Sequence, residues 1–310
     1  MIITKNNKIK TAINCPLQYN VRIAYDKKDN QIKVYPCCSY EFTTHNNKPL
    51  TILTEDDLIN NRVFDKILAA RSDKNNYRDD VDFMCQQITS VSIKNKFCDW
   101  FHKQLRSVEV GLQQTCNLNC KMCRYDHVPN KKIDDLYFLV LNSLKGHNLE
   151  MISFTQEGEP FFYKSKMMNY LKSLKYGEDC KILHIISNLT MLNDNDIDDL
   201  IEIQKRGFVF YFTASIDGIT RTTYQNIRQN VLFDKVMHNA LRLCESNILT
   251  MVNFVITLEN ISELLEAQNY WLSKNVNFCG LIVDNALSPE GKEILNRIEY
   301  KEYLKNTKPI

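Results

Sequence analysis

The sequence predicts an α/β fold: a partial (β/α)6 TIM-like barrel preceded by a small cysteine-rich N-terminal module containing a β-hairpin. Three observations predict it. From about residue 107, six short β-rich runs alternate with amphipathic helical runs, the pattern of parallel βα units. Polar and reactive residues fall at the carboxyl ends of those runs, where such sheets bind ligands. The hundred residues before them follow a different pattern and hold five of the eleven cysteines.

The elements follow in order. Asn20–Tyr25 and Gln31–Tyr35 flank a Lys28-Asp29-Asn30 turn and read as a β-hairpin, which Pro36-Cys37-Cys38 ends. A polar stretch with one or two short helices leads to a boundary near residues 101–107. Val108–Leu112 is the first strand of the repeating series, followed by a cysteine loop and a helix over Asp134–Lys145. Met151–Phe154 leads to a helix over Lys164–Tyr176, and Ile182–Ile186 to one over Asp194–Lys205. Phe208–Thr213 precedes a single long helix, Arg221–Ser246. Leu249–Thr257, a helix over Ser262–Lys274 and the strand Phe278–Val283 complete the series. Right-handed crossovers curl such a series into a barrel wall, and six units are too few to close an eight-stranded barrel. A doubly wound sheet fits the same pattern. The expected domains are a module over 1–106, the partial barrel over 107–287 and a C-terminal helical tail over 288–310.

Composition narrows the function classes. The net charge is +2 and the Lys and Arg residues are scattered, without the basic stripe of a nucleic-acid partner. No run reaches the roughly 18 apolar residues that span a bilayer, so no membrane association is expected. The N-terminus lacks the apolar region of a secretory signal. A cytoplasmic location is therefore expected, where thiols stay reduced and eleven cysteines read as metal ligands or reactive groups rather than disulfides.

Cys116, Cys120 and Cys123 place three thiolates within eight residues, directly after the first βα strand. Thiolates are the ligands of iron–sulfur clusters, and three of them leave one iron of a cubane with an open position. A zinc site with a distant fourth ligand, or three unrelated thiols, are the alternatives. The C-x3-C-x2-C spacing, with Met122 before the last cysteine, resembles the signature of the radical S-adenosylmethionine (SAM) superfamily. The resemblance covers about residues 107–285. It implies a [4Fe-4S] cluster on Cys116, Cys120 and Cys123 whose open iron chelates SAM. One electron then splits SAM to methionine and a 5′-deoxyadenosyl radical that abstracts hydrogen from substrate.

Later strand ends extend the resemblance. Gly158-Glu159-Pro160 is similar to the family's G-G-E-P segment, which meets the SAM amino group, although Glu157 replaces its first glycine. Ser187-Asn188 resembles the S/T-N-G element near the ribose, with Leu189 in place of the glycine. Ser215-Ile216-Asp217-Gly218 resembles the S-x-D-G segment common in peptide-modifying members. Arg228 stands where members often carry an arginine for the SAM carboxylate, and Val255 where a residue faces the adenine. Read singly, each is an ordinary turn, loop or solvated helix face; their order at consecutive strand ends is what joins them. Asp126, His127 and Asp217 are candidates for a general base.

The N-terminal cysteines resemble those of the twitch/SPASM-like branch, in which a small module binds an auxiliary iron–sulfur cluster. That resemblance implies Cys15, Cys37, Cys85 and Cys98 as ligands, with Cys38 spare and His102 a substitute; a zinc knuckle and buried thiols are the alternatives. Cys180, Cys244 and Cys279 read as core residues. The expected function is a radical SAM enzyme acting on a peptide or protein side chain, served by an electron donor such as flavodoxin or ferredoxin. A sugar or sugar-nucleotide substrate, as a small-molecule alternative, and a non-catalytic zinc or iron–sulfur protein are the competing readings.

Overall fold

The computed structural model describes residues 20–35, 49–72, 105–112, 114–123, 125, 127, 129–154, 158–229, 232–282 and 288–306. Cys15, Cys37, Cys38, Cys85, Cys98, His102 and Asp126 lie outside the described residues, and so does Glu157. The chain divides into two compact units: residues 1–113 with 130–155 and 174–181, and residues 114–129 with 156–173 and 182–310.

In the first unit, β1 (Asn20–Asp26) and β2 (Gln31–Tyr35) form the expected antiparallel hairpin, in a register from Arg22 opposite Tyr35 to Asp26 opposite Gln31. Its turn places Asn30 at φ 54°, a left-handed conformation that asparagine tolerates. β3 (Thr51–Leu53) pairs antiparallel with β2. β1 also pairs in parallel with β4 (Ser107–Gly111), and β4 with β5 (Leu149–Phe154), giving the order β3-β2-β1-β4-β5. The hairpin thus extends the parallel ladder that begins with β4. Helices α1 (Glu55–Ile59) and α2 (Val63–Ser72) pack on α3 (Lys131–Ser143). α3 buries Ile133, Leu136, Tyr137, Val140 and Leu141, the i, i+3, i+4, i+7, i+8 stripe of a core-facing helix.

The second unit holds α4 (Lys164–Ser173), the body of β6 (Cys180–Ser187), α5 (Asp194–Lys205), β7 (Val209–Ser215), α6 (Arg221–Arg228), α7 (Phe233–Glu245), β8 (Leu249–Ile256), α8 (Leu264–Ser273), β9 (Asn277–Ile282), α9 (Pro289–Asn296) and α10 (Ile298–Asn306). β6, β7, β8 and β9 pair in parallel in that order, as βα units require. In neither unit do the described strands close into a ring. α10 packs on α8, and its Tyr303 hydroxyl accepts from Gly280 N of the edge strand at 2.8 Å.

Two expectations need correction. The single helix over Arg221–Ser246 is two helices, because Gln229 takes a left-handed φ of 51° that ends α6 and turns the chain before α7 begins. Of the three cysteines expected in the core, only Cys180 is fully buried; Cys244 on α7 and Cys279 on the edge strand β9 are partly exposed. Among the described residues no helix is long and apolar enough to cross a membrane.

Candidate functional site

The site lies within the second unit. Leu118 is buried and anchors the loop between Cys116 and Cys120, while all three thiols remain partly exposed. The loop tightens through Cys123 N donating to Cys120 O (3.0 Å) and is tied to the end of α6 by Lys121 N donating to Ile227 O (3.0 Å). Each sulfur has a nitrogen from a different neighbour. Cys116 Sγ faces Leu118 N (3.4 Å) and Asn188 Nδ2 (3.6 Å); Cys120 Sγ faces Arg228 Nη1 (3.8 Å); Cys123 Sγ faces His127 Nε2 (2.9 Å). His127 is fixed from its other side, Nδ1 lying 2.8 Å from Gln114 O.

Those neighbours divide the thiols. Burial pushes Cys116 up to about 11, and it also raises Cys120 against the pull of Arg228. Burial is the strongest single influence on Cys123 and raises it, but the hydrogen bond with His127, a backbone hydrogen bond at Tyr125 and the charges of His127 and Arg228 together leave that thiol below its ordinary pKa. Among the described residues no three His, Cys, Asp or Glu side chains gather around one point as ligands of a single ion. Asn188 and Arg228 offer N–H groups to Cys116 and Cys120, and three soft thiolate donors in one loop could hold three corners of an iron–sulfur cubane.

Glu159 joins the cysteine loop to the end of β6. Its amide donates to Thr115 O (3.0 Å), next to Cys116. Its buried carboxylate accepts from Phe161 N (3.1 Å), Ser187 Oγ (2.8 Å) and Asn188 N (2.7 Å). Burial pushes this carboxyl up to about 7 despite the three donors. Asn188 then bridges further: Nδ2 donates to Asn117 Oδ1 (3.2 Å) as well as facing Cys116, and Oδ1 accepts from Thr190 N (2.9 Å) and Thr190 Oγ1 (2.5 Å). Leu189, which follows Asn188, adopts a left-handed φ of 64° and is fully buried.

At the end of β7, Asp217 is fully buried. Its Oδ1 accepts from Val255 N (2.7 Å), and its Oδ2 lies 2.5 Å from Arg228 Nε. Asn260 Nδ2 donates to both Asp217 O (2.9 Å) and Val255 O (2.8 Å), locking the β7 and β8 ends together. Burial raises the Asp217 carboxyl against the pull of Arg228; the guanidinium, although burial opposes its charge, is held above its ordinary pKa by Asp217 and Cys120. Gly218 is required by closeness: a Cβ there would sit 2.6 Å from Tyr224 N. Glu263 caps the start of α6, accepting from Ile219 N (2.8 Å) and from the hydroxyls of Thr220 and Thr223.

The structure therefore gathers these residues into two groups, Cys116 with Asn188, Glu159 and Ser187, and Cys120 and Cys123 with Arg228 and Asp217, which the cysteine loop joins. Gly158 and Pro160 flank Glu159, and Ser215 is the partly exposed last residue of β7. Met122 is partly exposed within the loop, and the Val255 amide donates to Asp217. Of the general-base candidates, His127 contacts Cys123 and Asp217 contacts Arg228, while Asp126 lies outside the described residues. Sequence reading missed Asn117, Thr190, Tyr224, Asn260 and Glu263. Only Tyr224 carried a signal, its i, i+4 spacing to Arg228.

No protein-family model matches the chain, and no curated protein is a significant match. Some solved structures resemble part of the chain. A tagged form of "anSMEcpe with bound AdoMet" has a TM-score of 0.45 at 18% identity, with 65% of this chain and 58% of that chain covered. "Native anSMEcpe with bound AdoMet and Cp18Cys peptide" has 0.45 at 18%, with 64% and 58% covered. "Crystal structure of Streptococcus suis SuiB" has 0.42 at 16%, with 73% and 50% covered. The chain thus spans less than two thirds of the length of each of these structures.

Proposed function

We propose that this chain is a radical SAM enzyme that abstracts hydrogen from a peptide or protein side chain. The observation that carries the reading is the network itself. Within the C-x3-C-x2-C loop, Cys116 faces Asn188 and Cys120 faces Arg228, two of the later residues that the superfamily resemblance singles out, and Glu159 binds the Asn188 amide. A [4Fe-4S] cluster on Cys116, Cys120 and Cys123, with SAM at its open iron, supplies a 5′-deoxyadenosyl radical when reduced.

The residues of this chain do the holding. Asn188 and Arg228 place N–H groups on Cys116 and Cys120, and hydrogen bonds to cluster sulfurs favour the thiolate and tune the potential. Glu159 offers a carboxylate to an ammonium, held in one orientation by Ser187, Asn188 and Phe161. Ser215, Asp217 and Val255 form the rim at the β7 and β8 ends. The peptide substrate class rests on the Ser215-Ile216-Asp217-Gly218 segment. In the same reading, residues 1–106 supply an auxiliary cluster through Cys15, Cys37, Cys85 and Cys98, residues 107–287 the SAM site, and residues 288–310 a helical tail.

Two measurements test this. Anaerobically reconstituted protein, reduced with dithionite, releases 5′-deoxyadenosine and methionine from SAM, and Cys120→Ala abolishes the release while keeping the fold. Zinc in place of iron, with no release, overturns the reading. Protein lacking Cys116, Cys120 and Cys123 together retains about four irons per chain if the auxiliary site holds a second cubane; retention of none removes that part of the proposal.

A further inference from the structure

The phenol of Tyr224 is fully buried, and its oxygen has no hydrogen-bond partner among the described residues. Burying a hydroxyl unpaired is unfavourable, and phenylalanine would fill the same space without the oxygen. The packing of the protein alone gives the oxygen no role.

Its placement does. Tyr224 stands one helical turn before Arg228 on α6, so the two side chains share a face. From that face Arg228 reaches Asp217 at 2.5 Å and Cys120 at 3.8 Å. Gly218 sets how closely Tyr224 approaches the end of β7, since any Cβ would collide with its amide. The Phe233 ring, tilted at 5.5 Å, holds the phenol ring from the side of α7. Burial first, then the charges of Arg228, Asp217, Cys120 and Glu159, act on the hydroxyl; the balance pushes it up to about 12, so it stays a donor at neutral pH. Charges of four site residues from four separate segments thus act on an O–H that has no partner among the described residues.

We infer that Tyr224 is a further binding residue of this site, its phenol O–H donating to an oxygen of bound SAM. The inference rests on the radical SAM reading above. An acceptor that arrives with the ligand accounts for a donor left unpaired among the described residues. A neutral donor also adds to the recognition of a carboxylate or hydroxyl oxygen without a further buried charge beside the Asp217–Arg228 pair.

The test is Tyr224→Phe in the full chain, with two readouts. In cofactor-free protein the thermal midpoint is expected to stay unchanged or rise, because an unpaired oxygen is removed. A fall of several degrees, or failure to fold, would place the hydroxyl in the protein's own bonding and overturn the inference. In anaerobically reconstituted protein of unchanged iron content, the Kd for SAM is expected to weaken about tenfold. An unchanged Kd overturns it. If the unmodified protein binds no SAM, the radical SAM reading fails and the inference with it; if it binds SAM and the variant binds equally, the inference alone fails.

Discussion

Arg228 Nε lies 2.5 Å from Asp217 Oδ2, and both side chains are almost wholly shut off from water. The pair joins the end of β7 to the end of α6, and through Arg228 Nη1 it reaches Cys120. Removing one member leaves the other charge buried and unpaired, which is far costlier than replacing both by apolar groups. Asp217→Asn is therefore expected to lower the unfolding free energy of cofactor-free protein by about 3–5 kcal/mol in urea titration. The double variant Asp217→Leu with Arg228→Met should lose less than Asp217→Asn alone. A single-variant loss below about 1 kcal/mol would mean that water reaches the pair and that it does not brace the cysteine loop.

The three cysteines are expected to differ in reactivity before any cluster is bound. The thiolate is the nucleophile, so alkylation follows pKa as well as access. Cys116, pushed up to about 11, and Cys120, raised by burial, are expected to react slowly near neutral pH. Cys123, held below its ordinary value by His127, should react first. Mass spectrometry of metal-free protein after brief iodoacetamide treatment reads the order directly. His127→Ala should slow Cys123 by several-fold and leave the other two unchanged; equal rates for all three would contradict the geometry.

Leu189 combines a left-handed backbone with a buried side chain. At most positions glycine is less favourable than alanine because it frees the unfolded chain. At φ 64° a Cβ is strained by roughly 1–2 kcal/mol, which reverses the order. Both Leu189→Ala and Leu189→Gly lose the packing of the leucine, so the comparison between them isolates the backbone. Leu189→Gly is expected to be the more stable by about 1 kcal/mol in urea titration, and Leu189→Ala being the more stable would show that the turn relaxes.

The βα series was legible because its signals are local. β6, α5 and β8 follow apolar periodicities that need only their own residues, and Asn193 with Asp196 writes a capping box before α5. The candidate site was legible where a residue type carries its own chemistry, as at Cys116, Cys120, Cys123 and Glu159. The residues that hold those groups were not. Asn260 clamps two carbonyls 43 and five positions away, and Thr190 works through Asn117, 73 positions earlier. An asparagine or threonine in a loop has no periodicity to betray it, and its partners are set by how strand ends meet. The break between α6 and α7 was hidden for a related reason: no proline or glycine marks it, and Gln229 ends α6 by backbone conformation alone.

Glu159 gives the stability of the molecule a pH dependence of definite sign. In the unfolded chain it titrates at its ordinary value of 4.5, whereas in the folded protein burial raises it to about 7. Below 4.5 both states hold the proton. Between 4.5 and 7 the unfolded chain has released it and the folded protein has not, so stability falls as pH rises. Above 7 both are ionised and the loss levels off at about 3 kcal/mol. Glu159→Gln removes the titration while keeping an oxygen that accepts from Ser187 or Asn188. Urea titrations at about pH 5 and pH 8 should show the unmodified protein losing about 2.5 kcal/mol more across that interval than the variant. An equal loss in both would mean that the donors from Phe161, Ser187 and Asn188 fully offset burial, and that Glu159 is an ordinary carboxylate rather than one poised near neutrality.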